Sequence, residues 1–123
     1  MHWWRLAKID SFEDRNQINE RIVKLRALSE TLRYAAKLVH QTQRGARKMV
    51  SDIRENKTLD SYESIIDVLA KADLCAMDSP NKFELFCNHA AQVIEDKVSE
   101  LEDERLTYTE ETLPKRLKGL RDE

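Results

Sequence analysis

The chain has 123 residues, 41% hydrophobic and 36% charged, and a formal net charge of −2. That length supports one domain with a modest core. Two glycines and two prolines are too few for the turns of a β-rich fold, and no apolar run is long enough to cross a bilayer, so the expected class is all-α with no membrane segment.

The sequence predicts a single helical domain over 1–123, with 1–11 as an N-terminal aromatic segment and 108–123 as a short C-terminal helix or tail. Met1-His2-Trp3-Trp4-Arg5 has no apolar core or cleavage site of a signal peptide. Trp3 and Trp4 precede a first predicted cap at Ser11. They are expected either to close one end of a bundle or to anchor an interface.

From about Phe12 to Asn56 there is no proline and one glycine, Gly45. Ile18, Ile22, Leu25, Ser29, Leu32, Ala36, Val39, Gln43, Ala46, Val50 and Ile53 recur in alternating steps of four and three, the coiled-coil period. Leu28, Ala35, Leu38 and Met49 widen the stripe, as suits a globular bundle. One helix of that extent would span roughly 65–70 Å, which makes an elongated protein with a partner along its overhang. Its weak point is Gln41–Gly45, where any kink should fall.

A second helix is predicted from about Asp60 to Met77, with Asp60 or Ser61 as cap and Tyr62, Ile65, Ile66, Leu69, Ala72 and Ala76 buried. Asp78-Ser79-Pro80-Asn81 then marks a boundary, with Ser79 as cap and Pro80 in the first helical position. The third helix should run to about Leu106 on Phe83, Phe86, Cys87, Ala90, Val93, Ile94, Val98 and Leu101. The short connection implies an antiparallel hairpin. Leu113, Leu117 and Leu120 suggest a short C-terminal helix. The expected architecture is an elongated bundle with one long N-terminal helix, this hairpin and that short helix.

Charge is segregated along the chain. Residues 12–57 carry eleven Lys or Arg against six Asp or Glu, and residues 78–111 carry three against ten. On an unbroken helix Arg33, Lys37, His40, Arg44 and Arg47 form one basic stripe. Like charges at that spacing cost about 0.2–0.5 kcal/mol per pair, so an anionic neighbour is favoured. The acids of the third helix can supply it for Arg33 and Lys37. For Arg44 and Arg47 the expectation is a protein partner with an acidic surface; nucleic acid is a weaker alternative, since no aromatic interleaves the stripe.

No catalytic, cofactor or metal motif stands out. His40, with Gln43, Arg44 and Gly45 after it, is partly similar to the histidine phosphotransfer domain, whose helix places Lys and Gly three and four residues after its histidine. A surface histidine within the stripe is the preferred reading. Cys87 and His89 would point about 200° apart on a helix and close no metal site. Glu100 and Asp103 have one of the two acidic spacings by which all-α nucleotide pyrophosphohydrolases hold magnesium, but no convincing second element accompanies it and a solvated charged face is the preferred reading. Asp73 and Lys97 fall inside apolar arcs and need polar partners. Cys75 and Cys87 lie on different predicted helices and are expected to be reduced, which suggests the cytoplasm.

The expected function is non-enzymatic: a small cytoplasmic interaction or regulatory protein, homodimeric, using Arg33, Lys37, Arg44, Arg47, Trp3 and Trp4, with no cofactor. The alternatives are a helical-bundle enzyme or phosphotransfer module built on His40 or the third-helix acids, and a nucleic-acid accessory protein using the basic stripe.

Overall fold

In the computed structural model the backbone is described from residue 3 to 112 and the side chains from 15 to 106. The described residues form α1 (Trp3–Leu38), α2 (Gln43–Arg54), α3 (Glu63–Cys75) and α4 (Pro80–Thr112), with a 3₁₀ turn at Lys57–Leu59. No strand is present among them.

The predicted 12–56 helix is divided in two. After Val39 the backbone tightens, with Gln41 N–H donating to Leu38 O at 2.9 Å and Thr42 N–H to the same oxygen at 2.8 Å. Thr42 is extended (φ −146, ψ 108) and caps α2, its Oγ1 accepting from Gly45 N–H at 3.1 Å. One residue thus ends one helix and starts the next. Gly45 is required by the same contact: a Cβ there would lie 2.9 Å from Thr42 Cγ2. The break explains how so long a seam is covered. Folding back places Ala46, Val50 and Ile53 of α2 in one core with Ile22, Leu25, Leu32, Ala36 and Val39 of α1.

The outer boundaries also differ from the sequence reading. α1 begins at Trp3 and runs through Ser11, because nothing in that stretch breaks a helix. α3 begins at Glu63 rather than Asp60; Asn56 Oδ1 instead accepts from Thr58 N–H at 2.9 Å and starts the 3₁₀ turn. α4 starts at Pro80 as expected, with Ser79 O accepting from Phe83 N–H at 3.0 Å. It continues past Leu106 to Thr112, two residues short of Pro114, where proline disfavours helix in the residue before it. The predicted helix at Leu113–Leu120 lies outside the described residues.

α1 packs on α4 and α2, and α3 packs on α4 and α2. Arg26 pairs with Glu102, Arg33 with Glu95 and His40 with Glu84, so α1 and α4 are antiparallel. The chain is therefore an up-down-up-down four-helix bundle. The α1–α2 and α3–α4 turns share one end, called the closed end below. Phe83, Leu59, Ile65, Leu69, Cys87 and Ile94 are fully buried in a single core with the α1 and α2 seams. α1 has 36 residues and α4 33, about 54 and 50 Å, whereas α2 and α3 have 12 and 13, about 18–20 Å. Away from the closed end α1 and α4 outrun the other two helices.

Candidate functional site

Charge segregation resolves first along the α1–α4 edge. Asn19, Arg26 and Arg33 recur every seven residues and so share one edge of α1, and His40, seven further on, follows in the turn just past its end. Each meets α4: Arg105 donates to Asn19 Oδ1 at 3.2 Å, Arg26 pairs with Glu102, and His40 Nε2 lies 2.7 Å from Glu84 Oε2. Arg33 grips Glu95 with both ends of its fork, Nη2 to Oε2 at 2.8 Å and Nε to Oε1 at 3.3 Å, and reaches Gln92 and Asn88 as well. The Glu95 hydrogen bond raises the Arg33 pKa above its ordinary value; partial burial works against it and the Glu95 charge adds to it. Exposed pairs of this kind contribute about 0.2–1 kcal/mol each. Their main effect is to fix register and direction.

The basic stripe expected on one helix is split by the break at Thr42. Arg33, Lys37 and His40 belong to the α1 end, and Arg44 and Arg47 to α2. Arg47 Nε donates to Asp73 Oδ1 at 2.9 Å, and Arg54 Nη1 lies 3.7 Å from Asp73 Oδ2. Hydrogen bonding to Asp73 and its charge raise the Arg47 pKa. Asp73 thus finds its partners on α2, while Lys97 reaches Glu100 on its own helix at 3.4 Å. Lys37 and Arg44 are exposed and, among the described residues, form no ion pair. The side chains of Trp3 and Trp4 lie outside the described residues.

Three large apolar side chains flank the closed end without entering the core: Leu74 is 80% exposed, Leu85 68% and Met77 46%. Leu74 and Met77 are three apart across the last turn of α3 and into the α3–α4 turn, so they share a face. Leu85 lies in the second turn of α4. The sequence reading missed them because it searched for residues on the apolar seam. The available signal was the converse, a leucine on each wet face beside Lys71 and Lys82.

The chemical candidates are otherwise occupied. His40 holds its Nε2 against Glu84. Burial, with a smaller contribution from nearby Cys75, pushes the Cys87 thiol up to about 12; burial also raises that of Cys75. Both stay protonated near neutral pH and are weak nucleophiles. Among the described residues no group of three or more His, Cys, Asp or Glu is placed to hold a metal ion, and no helix is long and apolar enough to cross a membrane. Comparison of the chain with protein-family models, curated proteins and solved structures gives no match.

Proposed function

We propose that the protein is a non-enzymatic, cytoplasmic interaction module that docks a partner protein on the closed end of its bundle. The observation that carries this reading is the coincidence there of exposed Leu74, Met77 and Leu85 with the unpaired cations Lys37 and Arg44. Exposed apolar side chains and free cations at one end of the bundle fit a partner surface of apolar residues accompanied by Asp or Glu. Arg33 and Arg47 keep part of their surface open but are committed to Glu95 and Asp73, so they support the surface rather than lead recognition. The protein is further proposed to be a homodimer, the α1–α4 overhang offering length that α2 and α3 leave uncovered.

The test is affinity capture from the native cell with wild type, Leu74→Ser and Arg44→Glu. Both changes are on exposed side chains and should leave stability within about ±0.5 kcal/mol. Both should lose the same captured protein, with the Arg44→Glu loss eased at high salt, where the new repulsion from the acidic partner is screened. Retention by both variants would refute the docking surface. Light scattering should give about 29 kDa, twice the 14.5 kDa chain; a monomer at high micromolar concentration would refute the dimer.

A further inference from the structure

Far from the closed end, where the 3₁₀ turn meets α1, lies a hollow of about 260 Å³ lined by Gln17, Glu20, Arg21, Lys24, Lys57 and Thr58. Three cations and one carboxylate face it. None of the four forms an ion pair among the described residues, whereas Arg26, Arg33, Arg47 and Arg54 each find an acid across a helix interface. Arg21 lies over the Tyr62 ring in a long cation–π contact, its Cζ 5.8 Å from the centroid. Arg21 and Lys24 are one turn apart on α1, and Lys57 faces them from the 3₁₀ turn. Thr58 gives its backbone N–H to Asn56, and its hydroxyl forms no hydrogen bond within the described residues.

We propose that this hollow binds a phosphate-type oxyanion, either a free one or the terminal group of a small phosphorylated ligand. Three cations outweigh the single Glu20 carboxylate and leave the hollow net positive, an arrangement that an entering anion relieves. A lone carboxylate would neutralise one cation, whereas a phosphate group carries up to two charges and enough acceptor oxygens for a guanidinium fork, two ammonium groups and a hydroxyl. The volume is below the ~300–1,000 Å³ of pockets that enclose a whole organic ligand, so the hollow takes the anionic group alone. A larger hollow of about 840 Å³ around Val23 adjoins it, sharing Gln17, Glu20 and Lys24. It offers room for whatever the phosphate is attached to. The cations form one concavity rather than a line, which favours a small ligand over a nucleic-acid backbone. This site is independent of the docking surface at the other end.

Calorimetric titration of the full chain with inorganic pyrophosphate, near neutral pH in chloride buffer, tests it. Wild type should bind saturably. Lys24→Gln/Lys57→Gln should bind about tenfold more weakly or worse with an unchanged melt, because both lysines are exposed. Lys37→Gln/Arg44→Gln removes the same charge at the closed end and should bind as wild type does. A parallel titration with a nucleoside diphosphate separates the sources: tighter binding than pyrophosphate assigns the neighbouring hollow to the attached group, and equal binding assigns recognition to the anion alone. Absence of saturable binding to about 10 mM, or equal weakening in the two double variants, would overturn the proposal.

Discussion

Asp73→Asn tests how the short helices are held together. Asp73 is the one carboxylate on α3 that faces α2, and it serves two arginines, Arg47 at 2.9 Å and Arg54 at 3.7 Å. Its side chain is 23% exposed, against 46% for Arg47 and 35% for Arg54, so water screens the pairs only in part. An exposed pair contributes about 0.2–1 kcal/mol, and breaking a fully buried one costs about 3–5. Two partly screened pairs on one carboxylate lie between, at about 1–2 kcal/mol. Arg54 Nε is already buried without a partner, and the substitution would leave that guanidinium with no counter-charge. An unfolding entropy of about 2.1 cal/mol/K per residue converts the loss into about 4–8 °C of melting temperature for 123 residues. Urea denaturation followed by circular dichroism should show it without a change in m-value, and a double-mutant cycle with Arg47→Gln should give a coupling of about 0.5 kcal/mol or more. A cost under about 0.5 kcal/mol with no coupling would mean that the α2–α3 contact is held by apolar packing alone.

Alkaline conditions should weaken the fold through Cys87. Its folded thiol is raised to about 12 from an ordinary 9.0, so stability is full below about pH 9 and falls as pH rises towards 12, by up to about 1.4 kcal/mol per unit. Wild type should lose about 1 kcal/mol more than Cys87→Ala between pH 8 and 10 in urea midpoints; parallel losses would reject the buried neutral thiol. Thr42→Ala should cost about 0.5–2 kcal/mol by removing the α2 cap, read by thermal melting. Gly45→Ala should be tolerated better with Thr42→Ser than with Thr42, because serine keeps the cap oxygen and removes the methyl that the new Cβ would meet at 2.9 Å. Equal melting shifts in the two backgrounds would show that the clash does not govern that position.

The apolar pattern was the legible part of the chain. Ile18, Ile22, Leu25, Leu32, Ala36, Val39, Ala46, Val50, Ile53, Phe83, Cys87, Ala90, Ile94 and Val98 are buried where the period placed them, and Phe86 and Val93 partly so, because the period records which face meets other helices whatever the connections between them. What the period cannot encode is where the chain turns back. The 12–56 seam stays in phase across the break, and only Thr42 and Gly45 carry the local signal that separates one long helix from a hairpin. The candidate site suffered most from that. Arg44 and Arg47 align with Arg33 on a continuous helix, yet the fold-back puts them opposite α3, where Asp73 takes Arg47.

Subtracting the cations committed to acids of the same chain leaves a more informative set than the stripe did. Arg26, Arg33, Arg47 and Arg54 are matched across helix interfaces. Among the described residues of α1, α2 and the 3₁₀ turn, Arg21, Lys24, Lys37, Arg44, Lys48 and Lys57 form no ion pair. They divide by position, with Lys37, Arg44 and Lys48 near the closed end, and Arg21, Lys24 and Lys57 where α2 stops. The first group accompanies exposed leucines at the closed end, and the second lines a hollow. An exposed apolar surface suits a protein partner, whereas a polar hollow suits a small anion. Charge reversal in one group should therefore leave the ligand of the other group bound, and loss of both from a single exposed substitution would contradict this division of the surface.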